Sequence, residues 1–420
     1  MTPRSGWVHA GLSLAAAALL AAVILLHLGV HPVPTWFYVF AWYPTLVSFD
    51  LLVVRLGGES LLARPRALLA MLWWSAVIWF SFEALNFRLE NWYYVFLPAR
   101  LPERWIGITL SLATVVPALL LPERLLAALG LWRQLETRPV TIRRQDLTVA
   151  FAVGAATLVA TLVAPRYFYP LTWGAVWLMA EPVLYRTDPE RSLFGDMARG
   201  QWGRIARLMA GGLVAGVLWE TFNAGARGKW IYTVPFLEEL KVFEMPPLGF
   251  MGFPFFALEA WSLYHLFAPR TRLSTVIPSI AFVALVLAGM DRWTISSTSP
   301  RLADLPGTTA PVRARLDGAR LGDVFRLAAV EPGELARRTG LSPDEARAVF
   351  EAARLSTLRG IGTRYASGLR AAGIGTVEAL AAADADSVWR LTHHTPRPTR
   401  AEVRVWIRAA REARDVEPKR

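Results

Sequence analysis

The chain has 420 residues, 54% of them hydrophobic, with a formal net charge of +12 and no cysteine. A mean hydropathy of +0.35 excludes an ordinary soluble domain. The missing cysteines exclude disulfides, thiolate metal sites and cysteine nucleophiles.

A helix needs about 20 apolar residues to cross a bilayer. Nine segments approach that length, near 9–30, 37–55, 67–86, 105–122, 147–164, 168–186, 205–222, 248–267 and 274–291. Backbone polar groups cannot go unpaired in hydrocarbon, so these segments are expected as helices. The expected fold class is therefore all-α, a polytopic membrane bundle over 1–295 with a small C-terminal helical domain. One basic residue, Arg4, precedes the first segment, and its apolar run continues past Leu26 with no A-x-A site followed by a polar mature start. That reads as a span rather than a cleaved leader. With the N-terminus inside, the inner loops carry sixteen basic residues and the outer loops seven. This bias favours a cytoplasmic N-terminus in the cell membrane. Nine spans would then put the C-terminal domain outside, and a span more or fewer would put it inside.

Two landmarks recur along the bundle. Pro34-Thr-Trp-Phe-Tyr-Val-Phe-Ala-Trp42 matches Pro165-Arg-Tyr-Phe-Tyr-Pro-Leu-Thr-Trp173, and an acid follows each Trp by eight residues, Asp50 and Glu181. Further along, Phe82-Glu83-Ala-Leu-Asn86 matches Trp219-Glu220-Thr-Phe-Asn223. A Trp-x-Tyr follows each, Trp92 and Tyr94, then Trp230 and Tyr232. The order predicts two four-helix repeats, about 9–125 and 146–268, with an extra span at 274–291. An even number of helices per copy orients both alike, about an axis along the membrane normal.

Glu83 and Asn86, like Glu220 and Asn223, stand at i,i+3 and share a helix face. A carboxylate inside a span costs about 2.5–3.5 kcal/mol, so it faces a bundle interior. As a site, Glu83 and Glu220 would donate protons, Asn86 and Asn223 would orient them, and Trp42, Trp173, Trp92, Tyr94, Trp230 and Tyr232, with the further intramembrane acid Glu259, would line a pocket. As structure, the same residues would pin neighbouring backbone, and Trp-x-Tyr would belong to an interfacial aromatic belt. No HExxH, Walker loop, GxSxG or aspartate-rich diphosphate motif occurs, so no metal and no cofactor is expected.

The run of acid, Asn and Trp-x-Tyr, then Pro246-Pro247 and the aromatics from Phe250 to Phe256, resembles the repeated segments of membrane lycopene cyclases and carotenoid hydratases. The resemblance implies a duplicated helical bundle and acid-initiated chemistry on an apolar isoprenoid. It departs at the family's acidic pair, which follows its proline. Here Glu238 and Glu239 precede Pro246, and the first copy reads Pro102-Glu103-Arg104.

After a linker at 296–301 the composition turns Ala- and Arg-rich. Leu358-Arg-Gly360-Ile-Gly362-Thr-Arg364-Tyr-Ala-Ser-Gly-Leu369 resembles the helix-hairpin-helix motif, whose glycines allow a tight turn with free amides. A degenerate copy, Leu305, Gly307, Leu316 and Leu327, lies 53 residues earlier, so a tandem domain is expected over 302–413, before a charged tail at 414–420. Ser342 with Pro343, and Thr376, mark helix starts. The resemblance implies contact with a nucleic-acid backbone or a protein through Gly360, Gly362 and Arg364. Residues 301–420 hold 21 basic and 15 acidic side chains, which is modest for nucleic acid. Two functions follow: an enzyme or binder of an apolar lipid or isoprenoid, or a membrane scaffold presenting the C-terminal domain.

Overall fold

The computed structural model describes residues 3–234, 240–392 and 398–416. The chain is mostly helical. The apolar part comprises α1 (Pro3–His27), α2 (Val33–Arg55), α3 (Pro65–Leu89), α4 (Leu101–Leu112), α5 (Val115–Ala128), α6 (Arg144–Val163), α7 (Pro165–Phe168), α8 (Thr172–Thr187), α9 (Leu193–Ala198), α10 (Gly203–Gly225), α11 (Gly252–Phe267) and α12 (Leu273–Trp293). Among the described residues, seven helices are long and apolar enough to cross a membrane: Gly6–His27, Val33–Arg55, Pro65–Leu89, Leu101–Ala128, Arg144–Val163, Gly203–Gly225 and Leu273–Trp293. They are compatible with a multi-pass membrane protein. The exposed faces are the apolar ones. Leu14, Leu273 and Leu285 are 73%, 77% and 74% exposed, while Asp50, Glu83, Glu181, Glu220 and Glu259 are all at 0%. A chain solvated by lipid requires that inversion, because hydrocarbon offers polar groups no partner.

Two expected spans are shorter than the sequence pattern suggests. The segment near 168–186 divides into α7, a 3-10 turn at Tyr169–Leu171 and α8, with non-helical backbone at Trp173 and at Gly174, whose φ is +146°. The segment near 248–267 begins as a 3-10 turn at Pro247–Met251 and continues as α11. The helices α8 and α11 have 16 residues each. Prolines at 165, 170, 246 and 247 supply the cause, since each lacks a backbone donor. The segment near 105–122 bends between α4 and α5, where Pro117 cannot donate to the carbonyl of Ala113.

The described chain forms two compact units. The first holds Met1–Trp92, Pro102–Ala226 and Val234–Met290, and the second Tyr93–Leu101, Arg227–Thr233 and Asp291–Arg420. In the first, α1 lies along α2 and buries Val8, Ala15 and Ala22, spaced two turns apart. In the same way α6 lies along α8, while α10 packs on α5 and α11. Small residues permit the close approaches: a Cβ on Gly216 would stand 2.1 Å from the Phe253 ring.

The second unit combines helices with a small sheet that an all-α reading omits. Strand β1 (Trp92–Val95) pairs with β2 (Lys229–Tyr232). The stretch expected as a linker runs parallel to β1, with Tyr94 N donating to Thr294 O at 2.7 Å and Ser296 N to Tyr94 O at 2.9 Å. Its helices are α13 (Ala310–Gly318), α14 (Val324–Leu327), α15 (Pro332–Thr339), α16 (Pro343–Thr357), α17 (Gly362–Ala371), α18 (Val377–Ala382), α19 (Ala385–Leu391) and α20 (Arg400–Val416). Their lengths run 9, 4, 8, 15 and then 10, 6, 7, 17, so one order of elements occurs twice. Each set closes its own core, the first on Leu316, Leu327 and Leu335, the second on Leu369, Leu380 and Trp406. The caps read from sequence form: Ser342 Oγ accepts from Glu345 N at 3.3 Å, and Thr376 Oγ1 from Ala379 N at 3.1 Å.

The hairpin turn before α17 has Gly360 at φ +90°, and a Cβ there would meet Val95 Cγ1 at 2.4 Å. Gly373 has a similar φ of +83° with nothing within 4 Å. We expect Gly360→Ala to destabilise the second unit by about 1–3 kcal/mol through overpacking added to backbone strain. Gly373→Ala should cost only the strain, about 1–2 kcal/mol. Denaturant unfolding of the full chain in detergent, followed by circular dichroism, measures both. Equal losses would show that the contact with Val95 contributes nothing.

Candidate functional site

The buried acids of the apolar helices are held by donors from their own surroundings. On α3, Glu83 Oε1 accepts from Trp79 Nε1 at 2.9 Å and from Trp92 Nε1 at 3.0 Å. One turn later Asn86 closes the turn beyond the helix. Its Oδ1 accepts from Asn91 N at 2.9 Å, and its Nδ2 donates to Trp92 O at 2.8 Å. The turn needs such a clamp, because Glu90 sits in the left-handed region at φ +53°. On α10, Glu220 and Asn223 are likewise fully buried. Beside Glu220, the Tyr38 ring lies 6.1 Å from Trp42, and Trp42 lies 5.8 Å from Trp219.

Asp50 and Glu181 do matching work at the other ends of α2 and α8. Asp50 accepts from Ser60 Oγ at 2.6 Å and Leu61 N at 2.7 Å. Glu181 accepts from Ser192 Oγ at 2.6 Å, Phe194 N at 3.0 Å and Ser262 Oγ at 2.5 Å. In each case the acid ties down the chain ten or eleven residues ahead. Glu259 on α11 does this for a break rather than a loop. Its Oε1 accepts from Gly174 N at 2.6 Å and Trp177 N at 3.3 Å, capping the part of α8 that restarts after Gly174.

Between the acids lies aromatic packing. Trp42 sits 5.8 Å from Trp219 and 5.4 Å from Phe222, ring centre to ring centre. Trp173 sits 5.5 Å from Phe82 and 6.5 Å from Trp79, and 5.5 Å from Phe256. Trp42 on α2 thus packs on α10, and Trp173 on α8 packs on α3. The remaining expected lining residues are elsewhere: Trp92 belongs to the first unit, while Tyr94, Trp230 and Tyr232 belong to the second. Tyr94 is buried on β1, and Trp230 and Tyr232 are half-buried on β2. Glu103 accepts from Trp36 Nε1 at 3.3 Å, and Glu238 and Glu239 lie outside the described residues. Among the described residues no group of three or more His, Asp or Glu side chains could hold a metal ion.

The hairpin glycines occupy a different setting. Gly360, Ile361 and Gly362 are buried, and a Cβ on Gly362 would meet Ser297 Cβ at 3.0 Å. The turn therefore faces β1 and the bridged stretch at 294–299. Tyr365 packs on Trp406 at 4.8 Å, and burial pushes its hydroxyl up from the usual tyrosine range. Arg364 is exposed on α17. From the other loop, Arg227 pairs with Asp323, the N-cap of α14, at 2.8 Å and covers the Phe325 ring at 4.4 Å.

Sequence reasoning missed the donors Ser60, Ser192 and Ser262 and the Arg227–Asp323 pair. The spacing from each duplicated acid to its serine was a usable signal. A family model described as SAM-like Helix-hairpin-helix tandem matches residues 350–393. No curated protein and no solved structure matches the chain. Nothing in these comparisons supports the resemblance of the bundle to lycopene cyclases.

Asn86→Ala should destabilise the protein by about 1–3 kcal/mol, because Asn91 N and Trp92 O lose their buried partner. Asn86→Asp keeps the acceptor and should lose less. Thermal unfolding in a fixed detergent checks this, and an unchanged midpoint for Asn86→Ala would refute the clamp.

Proposed function

We propose that the chain is a multi-pass membrane scaffold whose helix-hairpin-helix tandem is built onto its own interhelical loops rather than onto a nucleic acid. The observation that carries this reading is the burial of Gly360 and Gly362 against Val95 and Ser297. In a phosphate-binding hairpin those amides would face solvent. Here the surface is spent on the chain itself, which leaves a protein as the favoured partner of 302–413 and membrane lipid as the partner of 1–295. The bundle acids support the same reading, since Asp50, Glu83, Asn86 and Glu181 give their hydrogen bonds to loops and helix ends.

Parity supports nine crossings. The second unit takes chain from the ends of α3, α10 and α12, and a compact unit cannot be divided by a bilayer. Between the ends of α3 and α10 an even number of crossings is needed, so α8 must cross beside α4–α5, α6 and α10. Between the ends of α10 and α12, α11 must cross as well. The matched bonds of Asp50 and Glu181, and the reciprocal packing of Trp42 and Trp173, support two copies related by a pseudo-twofold axis.

A second reading keeps an apolar ligand or acid chemistry in the bundle. It is favoured by the buried Glu220 beside the packed rings of Tyr38, Trp42 and Trp219. Glu220 would then be the acid.

Because the chain lacks cysteine, single cysteines report topology cleanly. Cysteines at Arg100, Arg320 and Arg364 should react with an impermeant maleimide from one side of the membrane, and one at Arg138 from the other. Labelling of Arg100 and Arg320 from opposite sides would overturn the nine-crossing scheme. In nanodiscs, double-stranded DNA should bind no better than the ordinary non-specific range of about 10⁻⁴–10⁻⁶ M. Arg364→Glu should leave even that unchanged, whereas a clear loss would restore nucleic acid as the partner. Glu220→Gln should leave scaffold function intact, and loss of a lipid product at normal expression would favour the second reading.

A further inference from the structure

Where α10 begins, just beyond the end of α5, the first unit has a cleft of about 150 Å³. Its walls carry both signs of charge: Arg133, Arg204 and Arg207 against Glu136 and Asp196. Three of these charges are engaged within the protein. Arg207 donates to Glu123 at 2.9 Å, and the buried Asp196 holds Arg199 at 2.6 Å and Arg204 at 3.2 Å. Burial pushes the Asp196 carboxyl up from the usual aspartate range despite those arginines.

The other two charges are unspent. Arg133 and Glu136 are exposed, three residues apart on one loop, yet neither forms an ion pair among the described residues. The strongest contact of the Arg133 guanidinium is a 3.5 Å approach to Ala127 O. A free cation and a free anion at the mouth of one cleft suit a ligand that carries both charges. The rim points to the source of that ligand. Leu129, Leu131, Trp132 and Leu135 are 55%, 40%, 41% and 41% exposed, an arrangement at home among lipid headgroups and unfavourable in water.

We propose that this cleft binds the headgroup of an ethanolamine phospholipid, with its phosphate on Arg133 and its ammonium on Glu136, while the acyl chains lie against Trp132 and the neighbouring leucines. Basic pockets at the ends of membrane helices are known lipid-headgroup sites, and the added carboxylates select a zwitterion over a purely anionic lipid. Choline has no N–H to give Glu136, so the site also discriminates between zwitterions.

The test uses the full chain, delipidated in detergent and titrated with dioleoyl phosphatidylethanolamine, phosphatidylcholine or phosphatidylglycerol, with bound lipid counted by native mass spectrometry. Arg133→Gln and Glu136→Gln are surface changes and should leave the unfolding temperature unaltered. The expected result is preferential retention of the ethanolamine lipid, weakened about tenfold by either substitution. Equal retention of all three lipids would overturn the proposal, as would retention indifferent to both substitutions. Soluble phosphoethanolamine should bind far more weakly than the lipid. Equal binding would assign the cleft to a soluble zwitterion and overturn the lipid as its source.

Discussion

Hydrocarbon offers a carboxylate no hydrogen bond, and the packing of the first unit follows from that constraint. Five acids are carried into helices whose outer faces are leucine and valine, so each has to find donors inside the protein. Asp50 and Glu181 find them in serines and in the first amides of the next segment. Glu83 finds two indoles, and Glu259 finds the amides released where α8 breaks. The acids thus act as fasteners at points where the chain turns or restarts. An apolar residue could not supply the donors' partner, and a serine alone could not accept as many bonds.

The second unit answers a different problem with the same economy. Two loops leaving the bundle are too short to fold alone, and a two-stranded ribbon is marginal in water. They are completed by bridges from the segment after α12 and by an apolar cluster of Tyr93, Val95, Phe96 and Ile231 closed by Val405 and Phe325. The helix-hairpin-helix turn contributes its tightest feature to this contact. Two glycines that elsewhere allow approach to a phosphate here allow approach to a valine and a serine.

Much of this was written in local sequence. The long apolar runs, the hairpin glycines at 360 and 362 and the starts at Ser342 and Thr376 all follow from residue types at fixed short spacing. The recurrence of Asp50 in Glu181 and of Glu83–Asn86 in Glu220–Asn223 was equally visible, although which donors each acid would meet was not. The Trp-x-Tyr motifs were illegible as strands. Four residues carry too little period-two signal, and the partner of β1 is β2, which belongs to another loop far along the chain. The stretch at 294–299 has the Ser and Thr of a linker, yet it bridges to β1 at Ile295 and to Leu97 at Thr298. The shortness of α8 and α11 was obscured by hydropathy, which counts apolar residues across a break it cannot see.

The sheet imposes an order on synthesis. β1 leaves the ribosome early, β2 only after α4 to α10, and the segment that bridges to β1 arrives after α12. Until then the edge of β1 offers open hydrogen-bonding groups to whatever strand drifts past, a standing invitation to mispairing and to quality-control proteases. A chain cut short after its last membrane helix would carry that mark permanently. The edge of β1 is therefore the last hydrogen-bonding surface of the second unit to find its partners.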